Sequence, residues 1–431
     1  MLLAARALAA AEPAHVEAAR VDALLGDDAR LVAWLSERSA LVLAARARVG
    51  QARASLAQTH LLPNPSLELS LADVTVGATN PPGLGFHDTA IWGLELSQTV
   101  ELRKRGPRIR SAELRLAAGE ESYLDALGDA LGTARAALGR VAYLASRRAA
   151  LALSLADSKQ LVELMRSRFE HGDLAGNDLD RLIVEDAVLE SDVAQNEAEY
   201  RAAIEACSAA VFAVCEPGGA ELGAVEAAAP AAVAPGWESR LAERPDLRAL
   251  ALGEQSATQD AILARRRSLP DPSLSLGFTR DELVVSGDQP RTLFFQLSFP
   301  LPLFDRGQKD GARADLLAEE LRRQAQAAQT LARGATAGLI ERQSALERTL
   351  ADLRASALPR SKAVLDSTLE AVTHGVLGMT DLLLARRTHT ELVLRVMDLA
   401  FAAFTARNDL RQSAGLDADL VRKKEGGRWT P

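Results

Sequence analysis

Leu61-Leu62-Pro63-Asn64-Pro65-Ser66-Leu67-Glu68-Leu69-Ser70-Leu71 decides how this chain is read. Upstream, Asp27 is placed to cap a helix starting near Asp28, and Leu31, Trp34, Leu35, Leu41, Val42, Val49 and Leu56 carry helical periodicity to the vicinity of Leu62. Pro63 and Pro65 stop that helix, because each fixes its own φ and drives the preceding residue to extended forms. Beyond them the residues alternate, with Leu67, Leu69 and Leu71 on one face and Ser66, Glu68 and Ser70 on the other. The same switch recurs as Ser268-Leu269-Pro270-Asp271-Pro272-Ser273-Leu274-Ser275-Leu276.

Other landmarks recur with it. Pro63 and Pro270, Arg105-Gly106 and Arg306-Gly307, and His171-Gly172 and His374-Gly375 are pairs in the same order, each about 200 residues apart. We read this as an internal duplication. In the first copy, residues 77–89 form a loop, and a second alternating strand sets Trp92, Leu94 and Leu96 against Glu95, Ser97 and Thr99. A helix then runs from Arg108 to Glu170, with Leu124, Leu127, Leu131, Ala134, Leu138, Val141 and Leu144 as a heptad seam. Its length is on the order of 90 Å, far beyond a globular helix. It breaks at His171-Gly172-Asp173-Leu174-Ala175-Gly176, and a second helix returns from Asn177 to Val214.

The second copy repeats the plan. Helix resumes at Pro245, which suits a first helical turn. Leu274, Leu276 and Phe278 alternate with Ser273, Ser275 and Thr279, and a tight connection near Ser286-Gly287-Asp288 leads to Leu293, Phe295, Leu297 and Phe299, alternating with Thr292, Gln296 and Ser298. After Pro300, Pro302 and Asp305-Arg306-Gly307, a long helix runs to Thr373, and the last helix spans Thr380 to Asp409. The domains are therefore a lead at 1–26 (a possible signal-peptide remnant), a first repeat at 27–215, a linker at 216–237, a second repeat at 238–414 and a tail at 415–431.

Composition narrows the function. The chain is 48% hydrophobic but only 4% aromatic, a mix that favours long packed helices. A formal charge of −8 argues against a nucleic-acid surface. The basic runs Arg103-Lys104-Arg105 and Arg265-Arg266-Arg267 read as solvated faces. Cys207 and Cys215, taken on one helix, lie roughly 12 Å apart, too far for a disulfide. Six scattered histidines make no metal-ligand pattern, and there is no nucleophile elbow or phosphate loop. We expect no catalytic residues, no metal site and no cofactor. No apolar run approaches the ~20 residues of a membrane-spanning helix.

Strand alternation alone fits either a water-facing antiparallel sheet or strands that cross a bilayer. Four strands cannot close a barrel, and an open sheet in lipid leaves edge N–H and C=O groups unpaired. If these strands span a membrane, several chains must pool them.

The residues also carry a resemblance. The Pro-x-Pro-Ser-Leu entries, Glu243-Arg244-Pro245-Asp246-Leu247, Gln98-Thr99-Val100-Glu101-Leu102 running into Lys104-Arg105, and Phe299-Pro300-Leu301-Pro302-Leu303-Phe304-Asp305-Arg306-Gly307 resemble the TolC family of outer-membrane efflux proteins. The likeness is strongest to the cobalt-zinc-cadmium (CzcC-like) branch, although Arg103 stands where that branch usually shows small glycines. It implies a mainly α fold with transmembrane β: long coiled-coil helical hairpins, plus four β-strands per chain contributing to a twelve-stranded trimeric barrel. It implies a homotrimer in the outer membrane of a Gram-negative bacterium, with a large periplasmic portion. The implied partners are a periplasmic adaptor (membrane fusion) protein, an inner-membrane efflux transporter and outer-membrane lipid, with no nucleic acid. The implied function is a passive exit duct, with heavy-metal cations as one cargo. The alternative is a soluble or periplasmic coiled-coil scaffold or adaptor without channel activity.

Site residues follow from the resemblance. Gly172, Asp173, Leu174, Gly375, Val376 and Leu377 fall at hairpin tips where an adaptor is expected to bind. Asp178 and Asp381 fall near the narrow periplasmic entrance, where a ring of carboxylates attracts cations; a second inner carboxylate of the family falls at Leu384, which is apolar. Glu68, Ser70, Glu95, Ser97, Thr99, Ser275, Thr279, Gln296 and Ser298 are expected to face the barrel lumen.

Overall fold

The computed structural model describes residues 18–171, 175–227, 236–283 and 289–425. The elements are β1 (Ala19–Arg20), α1 (Val21–Leu25), α2 (Asp28–Arg38), α3 (Ala40–Thr59), β2 (Ser66–Ala72), α4 (Phe86–Thr89), β3 (Ile91–Thr99), α5 (Arg105–Glu170), α6 (Gly176–Val211), β4 (Cys215–Glu216), α7 (Leu222–Ala227), α8 (Trp237–Arg240), α9 (Pro245–Arg265), β5 (Ser273–Asp281), β6 (Arg291–Ser298), α10 (Gln308–Asp352), α11 (Leu358–Thr373), α12 (Met379–Ser413) and α13 (Leu416–Glu425). The described residues fall into two compact units. One is drawn from Met1–Arg46, Ser122–Leu247 and Ala328–Pro431, the other from Ala47–Glu121 and Arg248–Ala327.

The first unit is helical, and its core is the heptad seam. Leu127, Leu131, Ala134, Leu138, Val141 and Leu144 of α5 are fully buried. Each buried leucine contributes about 1.5–3 kcal/mol of apolar transfer. Helix α6 returns antiparallel to α5, as the pairs Arg140–Glu199, Arg148–Glu197 and Lys159–Glu190 record. Tyr143 of α5 stacks on Phe401 of α12 at a ring separation of 4.6 Å, and its hydroxyl donates to Asp398.

A charged knot is buried beside this seam. The Arg135 guanidinium of α5 donates to Asp28 at the start of α2, to Asn408 of α12 and to Asp417 of α13. Arg411 of α12 reaches the same two carboxylates, at 2.7 Å to Asp28 and 2.8 Å to Asp417. Two guanidiniums and two carboxylates balance in charge, so each offsets the other's loss of water. In the described part of the C-terminal segment, α13 supplies Asp417 and the fully buried Val421. The lead behaves likewise from Ala19, whose strand β1 pairs parallel with β4. The signal-peptide reading of the first residues falls largely outside the described residues.

Three sequence expectations need correction here. Cys207 and Cys215 form a disulfide, with Cα atoms 5.9 Å apart. The helical spacing argument fails because α6 ends at Val211, Phe212 takes a left-handed φ of 56°, and the chain turns back. The helix read continuously from Asp28 to Leu62 is two helices, because Ser39 adopts an extended ψ of 115° after closing α2. The helix read from Asp305-Arg306-Gly307 to Thr373 is interrupted by a π-turn at Leu353–Ala357. Pro359 lies just beyond it, and its missing N–H and ring clash account for the widened turn.

The second unit carries a four-stranded antiparallel sheet in the order β2-β3-β5-β6. The connection between β5 and β6 includes residues outside the described set. Prolines 63 and 65 act as expected, ending the helical run at Thr59 and starting β2 at Ser66. Helices of this unit are tied by the Ser111 hydroxyl, which donates to Asp260 at 2.6 Å and lies 3.0 Å from Ser256.

Candidate functional site

The register of the sheet sorts its side chains into two faces. One carries the rows Leu67–Leu96–Leu276–Phe295 and Leu69–Leu94–Phe278–Leu293. The other carries Ser66–Ser97–Ser275–Gln296 and Glu68–Glu95–Gly277–Phe294. The nine residues assigned from sequence to a lumen, Glu68, Ser70, Glu95, Ser97, Thr99, Ser275, Thr279, Gln296 and Ser298, all share this second face.

On the two middle strands, β3 and β5, burial is inverted relative to a water-soluble sheet. Leu69 is 78% exposed and Leu293 76%, whereas Ser275 on the polar face is buried. Apolar rows four strands wide are therefore exposed, and the edges β2 and β6 lack strand partners among the described residues. Such a patch is characteristic of a surface that meets lipid or protein.

Phe294 was missed in the sequence, where Phe294-Phe295 breaks the alternation. It lies on the polar face over Gly277, and a Cβ at Gly277 would overlap its ring. At the exit of β3, Arg103 holds a left-handed φ of 59°.

The helix ends of the first unit converge on a second cluster. Val162 and Met165 of α5, Leu179 and Leu182 of α6, Val372 of α11, and Met379, Leu382 and Leu383 of α12 pack together. Gly172, Asp173 and Leu174 lie outside the described residues. The other tip is a Schellman turn: the Val376 amide donates to the Ala371 carbonyl at 2.9 Å and the Gly375 amide to Val372 at 3.1 Å. Gly375 has a φ of 73°, the left-handed region that this turn requires. Beyond it, Val376 is 75% exposed and Leu377 is also exposed.

Asp178 and Asp381 occupy the first turns of α6 and α12, and the cluster brings those turns together. Arg181 lies 3.9 Å from Asp178 and donates to Thr380 at 3.3 Å. The Asp381 carboxylate accepts from the Gly378 amide at 3.3 Å, so it caps its helix while remaining exposed. Leu384 is exposed as well. Nearby, Arg386 donates to the Ser154 carbonyl at 2.7 Å. Burial lowers its pKa, with Asp157, Glu185 and Asp186 opposing.

A third acidic group lies in a cleft of the first unit lined by Asp125, Asp129, Arg244, Asp246 and Gln412. Burial, and then Asp129 and Asp246, push the Asp125 carboxyl up to about 6. Among the described residues no set of three or more His, Cys, Asp or Glu side chains is arranged to hold a metal ion, and no helix is long and apolar enough to cross a membrane.

Residues 237–416 match the family described as outer membrane efflux protein. No curated protein matches the chain. The fold is similar to that of CusC, a transmembrane channel (TM-score 0.77, 15% identity, covering 90% of this chain and 92% of that one). It is similar to the open MtrE outer membrane channel of Neisseria gonorrhoeae (TM-score 0.73, 17% identity, covering 90% and 89%). It is also similar to the outer membrane protein VceC of Vibrio cholerae (TM-score 0.70, 19% identity, covering 90% and 96%). At such identities the likeness is one of fold. The matched stretch contains β5, β6 and the Gly375 tip, so two of the four strands and one helix end fall within it.

Proposed function

We propose that this chain is one subunit of an outer-membrane exit duct of a tripartite efflux system. The observation that carries the reading is the inverted sheet, apolar outside and polar inside, with two bare edges. In lipid every edge must find a partner, so identical chains pool their strands into a closed barrel. Three copies, giving twelve strands, is the number the family resemblance supplies. The helical hairpins stand in the periplasm, where an adaptor docks at the tips around Gly172, Asp173, Leu174, Gly375, Val376 and Leu377. An inner-membrane transporter feeds the adaptor, and the duct itself conducts passively.

The disulfide Cys207–Cys215 supports an oxidising compartment such as the periplasm. Asp178 and Asp381, repeated around the entrance, and Glu68 and Glu95 in the lumen favour cations over anions. Together with the likeness to the cobalt-zinc-cadmium branch, they favour heavy-metal cations as cargo.

The test is the mass of the detergent-solubilised protein combined with conductance in planar bilayers. Trimer mass and discrete conductance steps are expected. A chain that stays monomeric and soluble without detergent would sink the duct and leave the coiled-coil scaffold. Asp381→Asn is expected to weaken cation block in the same recording, and unchanged block and selectivity would remove Asp381 from the entrance.

A further inference from the structure

The two basic runs have no part in the duct as described, yet the structure gathers them. The helix–strand junctions of the second unit are stitched into one collar beneath the sheet, three of them by the bonds that follow and the start of α10 through the pair Arg267–Asp310. The Val100 amide donates to Pro272 at 2.9 Å, the Leu102 amide to the Asp271 carboxylate at 2.9 Å, and Gln98 to Pro63 at 3.0 Å. Some basic side chains of the collar are neutralised locally, as in the 2.7 Å pair Lys104–Asp271. Four are not. The Arg105 guanidinium ends on the His60 carbonyl and that of Arg266 on the Arg103 carbonyl, while Arg103 and Arg306 have no carboxylate partner among the described residues.

These four arginines adjoin an exposed apolar belt. Leu301, Leu303 and Phe304 follow directly from β6, and Phe304 is 91% exposed. An apolar belt edged by guanidiniums is the arrangement that meets a bilayer interface, where stems lie in the acyl region and heads reach phosphates. The far end of the same sheet carries the opposite sign: Asp73, Asp88, Asp281 and Glu282 stand against Arg280 and Arg291. A protein of net charge −8 thus gathers four guanidiniums without carboxylate partners among the described residues at the helix end of its sheet, against two arginines among four carboxylates at the other.

From this we infer that the collar formed by Arg103, Arg105, Arg266 and Arg306 binds the anionic phosphoglycerol headgroups of the bilayer leaflet on the helix side of the sheet. Guanidinium–phosphate pairing is bidentate and charge-assisted, which gives it geometric preference over zwitterionic lipid. The inference rests on the membrane reading above.

The test reconstitutes the full chain in vesicles of phosphatidylcholine alone or mixed with phosphatidylglycerol, then counts co-purifying lipid by native mass spectrometry. Phosphatidylglycerol is expected to be enriched at least about fivefold over its bulk share, the equivalent of one basic residue at an anionic surface, and the enrichment is expected to fall with salt. The variant R103Q/R105Q/R266Q/R306Q is expected to insert and conduct but lose the enrichment. R280Q/R291Q, at the other end of the sheet, is expected to keep it. Equal retention of both lipids by the unaltered chain overturns the inference, as does enrichment that survives the fourfold change. Loss of enrichment to inorganic phosphate beyond the effect of chloride at equal ionic strength also overturns it, marking a phosphate site instead. Should the fourfold variant fail to fold, lipid preference and salt response of the unaltered chain decide. Failure to insert into either vesicle overturns the membrane reading itself and is seen separately, as absence from the floated lipid.

Discussion

Glu68 and Glu95 stand directly opposite one another on β2 and β3, two carboxylates side by side on the polar face of the sheet. Like charges in this relation oppose strand pairing by roughly 0.2–1 kcal/mol, so the pair works against the stability of the hairpin that holds it. Glu95→Gln is therefore expected to raise the thermal midpoint slightly while lowering the preference for cations. Reversal potentials across a salt gradient check the second effect. An unchanged reversal potential would take the pair out of the conduction path.

Gly277 and Phe294 make a sharper test of the sheet. Gly277→Val forces the Phe294 ring from its place, at a cost of about 1–3 kcal/mol for an overpacked contact. Removing the ring as well, in G277V/F294A, is expected to return part of that loss, because the two sites share one volume. Midpoints of heat dissociation for the four proteins of the cycle measure it.

The cleft acid sets a pH dependence. Asp125 has a carboxyl pushed up to about 6, so the fold binds its proton more tightly than the unfolded chain does. Its contribution is present in full below the ordinary carboxylate range near 4 and is lost as pH rises through about 6. Asp125→Asn is expected to raise the unfolding midpoint at pH 7.5 and to shrink the difference between pH 5 and pH 7.5. A larger difference in the variant would contradict this.

The disulfide closes a short loop, for which chain entropy gives about 2–3 kcal/mol. Cys207→Ser, or reduction of the unaltered chain, is expected to lower stability by that order. Ala19 pairs with Cys215, so protease sensitivity of the β1 segment is expected to rise with it.

Much of this was legible in the sequence because the physics is periodic. The two faces of the strands follow from alternation, the α5 seam from heptads, and the helix-to-strand switch from Pro63 and Pro65. What was hidden lacked a periodic or compositional mark. Phe212 takes a left-handed φ without being glycine, so nothing announced the turn that brings Cys215 back to Cys207. Arg135, next to Ala134 of the seam, reads as a surface residue, and its burial depends on Asp28 and Asp417, far away in the chain. Phe294 was hidden for a related reason: its place depends on an absent side chain on another strand. At the helix ends Gly375 was legible as a turn, whereas the capping contact of Asp381 emerged only from the geometry around Gly378.

The strand order has a consequence of parity. Counting along β2-β3-β5-β6, direction reverses at every step, so the two outermost strands run opposite ways. In the proposed barrel, β6 of one copy would meet β2 of the next and the alternation would continue without a seam. Any number of copies satisfies that rule equally, so the backbone ladder is indifferent to stoichiometry. In that barrel, subunit count would be written in side chains and helices, and a substitution there would change the bore without breaking a single strand pairing.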